Sequence, residues 1–160
     1  MTQNNFQKGF TLVETLVSLV ILSVVIVPIL SLSSIVAGVN ISIQDNLVAS
    51  GLAQEGVEVV RAIRDTNWFN DRVFDYGLSD GAYRVEWNST TLLGLNSNPA
   101  LNLDNGLYAY LSGTPSKFSR AITITKINTG ELRVVSNVTW TGRGGVNKSI
   151  NAESHLFNWK

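Results

Sequence analysis

Side chains suited to covalent or metal chemistry are scarce in this chain of 160 residues. It has one histidine, His155, and no cysteine, so no nucleophile–base–acid arrangement and no transition-metal site with the usual donors can be assembled from it. Asp71, Asp75 and Asp80 offer oxygen ligands of the kind that calcium prefers, but their spacing matches no calcium loop, and aspartates are common in turns. We therefore expect no catalytic residue, no metal and no cofactor, and a protein that is not an enzyme.

Glu14 is the side chain whose chemistry demands an explanation, because it stands at the head of a long apolar run. No other charged residue occurs between Glu14 and Asp45. A bilayer core requires about 20 apolar residues, so one membrane span fits within residues 16–39. A carboxylate close to hydrocarbon is costly unless it is paired or stays at the interface. Glu14 therefore calls for a cationic partner; the alternative is an ordinary single-pass anchor with Glu14 among the lipid headgroups.

Residues 9–16 read Gly-Phe-Thr-Leu-Val-Glu-Thr-Leu and resemble the class III signal of type IV pilins, minor pilins and the pseudopilins of type II secretion. The resemblance implies that a prepilin peptidase cuts between Gly9 and Phe10 and that the new N-terminal Phe10 is N-methylated. It also implies that Glu14 pairs with the N-terminal amine of a neighbouring subunit in a filament. A conventional secretory signal fits poorly, because only Lys8 is basic before the run and the run exceeds the usual length of about 7 to 15 residues.

The same resemblance implies a location and a set of partners. Lys8 favours a cytoplasmic leader, and the family passes from a single-pass protein of the bacterial inner membrane to an extracytoplasmic filament, either a pilus or a pseudopilus. The implied partners are the prepilin peptidase, other pilin or pseudopilin subunits, an inner-membrane assembly platform and the lipid bilayer. Pro28 lies in the middle of the apolar run, where proline removes a helix hydrogen bond, and we expect a kink there.

Beyond the run, the pattern predicts that the same helix continues with an amphipathic second half. Leu52, Val59, Val60 and Ile63 form one apolar stripe at helical spacing. Gly56, like the nearby Gly51, weakens a helix but allows another element to approach closely. This half must therefore lie against a folded domain.

The remainder of the chain has the alternation of an antiparallel sheet. The clearest signal is a hairpin of residues 118–127 and 132–140 joined by a turn at 128–130. Further strands are expected at 83–87, 107–111 and 146–157, with a loop at 88–105. The predicted fold is α+β and pilin-like: a long N-terminal helix, membrane-spanning in its first half, packed against a C-terminal antiparallel sheet. The predicted division is a leader at 1–9, a transmembrane or filament-core half at 10–43, an amphipathic half at 44–67 and a β-rich head at 68–160.

Charge is balanced overall but unevenly distributed. Residues 44–105 hold nine acidic and four basic side chains, and residues 106–160 hold two acidic and seven basic ones. Opposed faces of this kind suit subunit packing, or they pair within the fold. Capture of DNA by a basic face is a less favoured alternative. The four tryptophans are expected in the core or in interfaces.

We conclude that the sequence predicts a structural subunit, a minor type IV pilin-like protein that is processed by prepilin peptidase and joins or initiates a filament. Residues 54–65 resemble minor pilins more than the major secretion pseudopilin. The alternatives are a pseudopilin of a type II secretion or DNA-uptake system and a membrane-tethered binding module that never polymerises.

Overall fold

The structure is a computed structural model that describes residue 9 and residues 11–159. Within these residues, one helix precedes seven strands, and the predicted α+β fold is confirmed. The helix is α1 (Leu12–Phe69). The strands are β1 (Gly81–Arg84), β2 (Leu93–Gly94), β3 (Ala100–Asp104), β4 (Leu107–Ala109), β5 (Thr114–Asn128), β6 (Glu131–Thr141) and β7 (Asn147–Phe157). The chain divides into two compact units, Met1–Ile41 and Ser42–Lys160.

The described part of the first unit is the N-terminal portion of α1, and its apolar side chains are exposed. Large apolar residues from Leu12 to Val39 lie on its surface, and the exposure continues to Ile43. By length and composition this helix could cross a membrane. Residues that would occupy hydrocarbon are thus already on the outside of the helix, where lipid or other helices can cover them.

The second unit is built around the hairpin of β5 and β6. The two strands pair in antiparallel register from Phe118 opposite Trp140 to Asn128 opposite Glu131, as predicted. β7 extends the sheet beyond β6. On the other edge of β5, β1 pairs with its C-terminal part and β3 with its N-terminal part. The short strands β2 and β4 complete these two ends, beside β1 and β3 respectively.

The prediction of a loop over residues 88–105 is wrong in part. β2 and β3 both fall within it, and Leu101 of β3 is fully buried. The local sequence is rich in Asn and Ser, which favour turns, but β3 pairs with β4 through the two-residue turn Asn105–Gly106 and with β5 on its other side. The Asn-Gly turn was a local signal for the hairpin of β3 and β4, whereas the pairing of β3 with β5 is a tertiary contact that local patterns do not show. The strand expected at 83–87 ends instead at Arg84.

The second half of α1 covers one face of the sheet. One core cluster joins Val57, Val60 and Ile63 to buried residues of β5, β6 and β7, and a second joins Ala49, Leu52 and Ala53 to Leu101, Phe118, Val138 and Trp140. The helix approaches closely at Gly56, where an added Cβ would lie 2.5 Å from Ser136 Oγ and 2.7 Å from Ile122 Cδ1. Gly51 has no such neighbour within 4 Å. The predicted close approach therefore occurs at only one of the two glycines.

The C-terminus of α1 is closed by a Schellman motif. Asp71 adopts a positive φ of 52° and donates its N–H to Trp68 O, while the next N–H, of Arg72, bonds to Asn67 O at 2.9 Å. The buried Asn67 side chain also donates to the carbonyls of Phe74 and Tyr76. These bonds fix the chain as it leaves the helix and turns towards the sheet.

Candidate processing and assembly site

The first turn of α1 is organised by Thr11, which acts as its N-cap. The Thr11 hydroxyl accepts a hydrogen bond from Glu14 N–H at 3.3 Å. Thr11 and Glu14 thus occupy the N-cap and N3 positions of a capping-box sequence. A negative charge in the first turn also interacts favourably with the helix dipole. The residue types at 11 and 14 therefore define where the helix begins.

Glu14 has an exposed side chain on this turn. It makes no ion pair within residue 9 and residues 11–159. Glu14 is thus available to a cation from outside the described chain. An unpaired carboxylate at this position is tolerable in water but costly once apolar surroundings replace water.

Four of the hydroxyls along the apolar run are satisfied within α1. Thr15 donates to Leu12 O and Ser18 to Glu14 O, both at 2.8 Å, and Ser23 and Ser31 bond to carbonyls in the preceding turn in the same way. Such back-bonding removes the cost of placing a free hydroxyl in an apolar environment. Glu14 carries the only charge of residues 11–44 and still requires a partner in such surroundings.

The predicted cleavage junction lies partly outside the described residues. Gly9 is described and exposed, whereas Lys8 and Phe10 are not described. Pro28 lies inside α1, whose assigned span continues through it. The kink expected at Pro28, the cut after Gly9 and the methylation of Phe10 stay predictions.

The remaining candidates for chemistry lie in structural contacts. Asp75 pairs with Lys126 Nζ at 2.5 Å, and Asp80 accepts a hydrogen bond from Lys126 N. Together with Asp71 in the helix cap, these aspartates have structural roles that need no calcium. Over residues 11–159, together with residue 9, no group of three or more His, Cys, Asp or Glu is placed to hold a metal ion.

His155 lies on the exposed face of β7, with its Nδ1 2.7 Å from Glu131 Oε1. This hydrogen bond is the largest contribution that raises the pKa of His155 above its ordinary value of 6.5, and Glu153 adds a smaller one. Arg133 holds the neighbouring Glu153 in a two-pronged contact and lowers the pKa of that carboxyl. The sole histidine is thus part of a surface ion-pair group.

Arg120 is a buried charge that the sequence analysis missed. Its side chain has no exposed surface, and it donates to Leu52 O at 2.9 Å, to Val85 O at 2.6 Å and to Glu55 Oε1 at 2.8 Å. One feature of the sequence did indicate that Arg120 is buried. It lies between Phe118 and Ile122, on the apolar side of a strand whose side chains alternate with a period of two. Its acceptors lie 35 to 68 residues away in sequence, so they could not be assigned in advance.

The two oppositely charged segments meet inside the second unit. Besides Glu55 with Arg120, Asp45 pairs with Lys117 at 2.6 Å and Asp75 pairs with Lys126. Each pair joins an acid from residues 44–105 to a base from residues 106–160. These contacts account for part of the charge asymmetry within the fold.

The tryptophans lie in different environments. Trp140 is buried, while Trp68 packs edge-on against the exposed Trp159 with ring centroids 5.3 Å apart.

The N-terminal segment matches a known family model. The family described as the prokaryotic N-terminal methylation motif matches residues 4–30. The matched segment includes Gly9, Phe10, Glu14 and Pro28. No curated protein and no solved structure matches the chain.

The match to the methylation motif, together with a long N-terminal helix and an antiparallel sheet, supports a type IV pilin-like prepilin. The motif implies processing by prepilin peptidase and association with other pilin subunits. The motif and the apolar helix fit a single-pass protein of the inner membrane that later enters an extracellular filament.

Proposed function

We propose that this chain is a structural, non-catalytic subunit of a type IV pilus, in the role of a minor pilin. The observation that carries the proposal is the first turn of α1, where an exposed Glu14 without an ion pair in the described chain precedes a wholly exposed apolar helix surface. Helices of this kind bury their surface in lipid first and against one another in a filament afterwards. The Glu14 carboxylate then requires a cation at the same depth in the lipid or in the filament core.

The proposed partner of Glu14 is the amine that cleavage creates on Phe10 of a neighbouring subunit. In an apolar filament core, losing one member of such a pair leaves the other charge unpaired, at a cost of about 3 to 5 kcal/mol. That cost corresponds to more than about a hundredfold in an association equilibrium. Incorporation would thus depend on both cleavage after Gly9 and the charge of Glu14.

The minor-pilin role is favoured over the pseudopilin role by the resemblance of residues 54–65 to minor pilins. The non-enzymatic role is supported by the contacts of the scarce reactive side chains. His155 is held in a surface ion-pair group, and Asp75 and Asp80 both bind Lys126.

Intact-mass spectrometry of the membrane-extracted protein tests the processing step. The mature chain should lack residues 1–9 and carry one additional methyl group. A full-length, unmethylated chain in cells with an active prepilin peptidase would contradict the proposal.

Incorporation into sheared surface filaments tests the role of Glu14. We expect Glu14→Ala to be cleaved and to stay in the membrane fraction, with incorporation reduced at least tenfold. Glu58→Ala is the matched control, because Glu58 is another exposed glutamate of α1 and pairs only locally with Arg61. Equal incorporation of both variants would rule out the charge-pairing mechanism.

Deletion of the gene separates the two filament roles. A minor pilin should be required for surface pili while secretion of type II substrates continues. Loss of secretion with normal piliation would assign the chain to a pseudopilus instead.

A further inference from the structure

Among the residues that the structure describes, two cations at the end of the sheet where β6 turns into β7 form no ion pair. The turn is closed by a hydrogen bond from Gly142 N to Val146 O at 2.8 Å, and the exposed Arg143 lies within it. The stem of Lys148 lies beside Gly142, whose Cβ position would be 3.2 Å from Lys148 Cε. Within the described part of the chain, neither Arg143 nor Lys148 forms an ion pair.

A third cation, Lys117 at the start of β5, lies at the same end. Lys117 and Lys148 line a cavity of about 490 Å³. The wall between them is made largely of small hydroxyl and amide side chains: Ser119, Thr139, Thr141, Asn147 and Ser149. Ammonium groups together with hydroxyl donors are the chemistry that binds phosphate oxygens. We call Lys117, Arg143 and Lys148 the basic end of the sheet.

The position of Lys117 relates this end to the apolar run. Lys117 Nζ lies 2.6 Å from Asp45 Oδ1, and Asp45 comes two residues after Ile43, where the run ends. At about 1.5 Å per helical residue, Asp45 is about 3 Å further along the axis than Ile43. The ion pair also offsets the negative charge of Asp45, which would otherwise repel a phosphate.

We propose that, while the chain is anchored in the bilayer, the basic end of the sheet rests on the phosphates of anionic phospholipids. The apolar run requires headgroups at its end. The three cations outnumber the two aspartates at this end of the unit, Asp45 and Asp104 beside Gly113, and the positive excess suits an anionic lipid surface. The contact would hold the second unit against the membrane surface before assembly. It would be released when the subunit leaves the bilayer for a filament.

The test uses the full-length chain in nanodiscs of phosphatidylcholine alone or with phosphatidylglycerol. An uncharged acylating reagent labels lysines, and peptide mass spectrometry gives the rate at each site. We expect Lys148 to be labelled at least threefold more slowly in the anionic discs. Lys126 is the internal control, because it pairs with Asp75 at the opposite end of β5 and should not change.

Salt and a matched pair of variants define the cause of the protection. At 1 M salt the Debye length falls to about 3 Å, so protection of Lys148 should be lost. Arg143→Gln should reduce the protection, since Arg143 is exposed in the same turn. Arg72→Gln is the control, because Arg72 is an exposed arginine beyond the C-terminus of α1.

Equal labelling of Lys148 in the two discs would overturn the proposal. Protection in phosphatidylcholine discs by inorganic phosphate would show a pocket for a free anion, and protection there by duplex DNA would show a nucleic-acid surface; either result would replace the lipid assignment. The proposal rests on membrane anchoring and not on filament assembly. Equal labelling would therefore leave the role of Glu14 untouched, and failure of the Glu14 assay would leave this proposal standing.

Discussion

Substitution of Gly56 by alanine probes the contact between the helix and the sheet most directly. The new Cβ would lie 2.5 Å from Ser136 Oγ, 2.7 Å from Ile122 Cδ1 and 3.2 Å from Arg120 Cδ. All three neighbours are fully buried. Arg120 is also held by three hydrogen bonds and cannot move aside freely. The methyl group therefore requires the helix and the sheet to separate locally.

Two opposing effects set the size of the change. Alanine is favoured over glycine in a helix by about 1 kcal/mol. An extra methyl in a well-packed core costs about 1 to 3 kcal/mol, and two contacts below 3.0 Å with buried neighbours place Gly56→Ala in the upper part of that range. We expect a net loss of about 1 to 2 kcal/mol in the free energy of unfolding, the difference between these two effects.

Gly51→Ala is the matched control, because it makes the same substitution in the same helix with opposite surroundings. No atom lies within 4 Å of the Cβ position at Gly51. Only the higher helix propensity of alanine changes the stability at this position, so Gly51→Ala should raise the free energy of unfolding by up to about 1 kcal/mol. The two variants should thus differ by about 2 to 3 kcal/mol, and each kcal/mol shifts Tm by about 2 to 4 °C in a chain of this size.

Unfolding of the full chain in detergent micelles, followed by tryptophan fluorescence, measures this difference. All four tryptophans lie at or beyond Trp68, so the signal reports on the unit that contains the sheet. If Gly56→Ala were as stable as Gly51→Ala, the close approach of helix and sheet would be refuted. Adding Ser136→Ala to Gly56→Ala removes the nearest clashing atom and should recover about 1 kcal/mol through coupling between contacting residues. Ser136 Oγ has no hydrogen-bond partner in the described chain, so Ser136→Ala alone should cost little.

Two further predictions concern buried and exposed charges. Arg120→Met should lower the free energy of unfolding by about 3 kcal/mol or more, because it strands the buried carbonyl of Val85 and the acceptors on α1; Arg120→Lys should rescue little in urea titrations, because one ammonium cannot span the same acceptors. An unchanged urea midpoint for Arg120→Met would contradict the assigned role. The pKa of His155 is raised by its bond to Glu131, so their pairing should stabilise the fold below about pH 6.5 and lose its effect as pH rises through the folded-state pKa. NMR titration of this single histidine should show a midpoint above 6.5 that falls in Glu131→Gln; a midpoint unaffected by that variant would refute the pairing.

Features that depend on neighbours in sequence were predictable. The capping pair Thr11 and Glu14, the uncharged run to Asp45 and the alternation of residues 118–140 are local patterns. Each is dictated by the geometry of one helix or one hairpin. The helix, the central hairpin and the candidate assembly residue could therefore be located without knowing any contact distant in sequence.

Contacts between residues that are distant in sequence could be identified only in the folded chain. Residues 100–104 pair locally with β4 through the Asn105–Gly106 turn, a signal that the sequence analysis missed, but their second partner, β5, is a contact that the local pattern does not identify. Arg120 looks unsuited to its buried position until Leu52 O and Val85 O are brought to it. The helical spacing places Gly56, and not Gly51, on the apolar stripe, but only packing shows how close the sheet comes to Gly56 and that open space lies beside Gly51. The sequence by itself determined the signal, the apolar helix and the position of Glu14, since these depend on spacing along the chain. The tertiary structure decided which charges are buried, how closely the sheet approaches Gly56 and where the cations gather, since these depend on elements meeting across the fold.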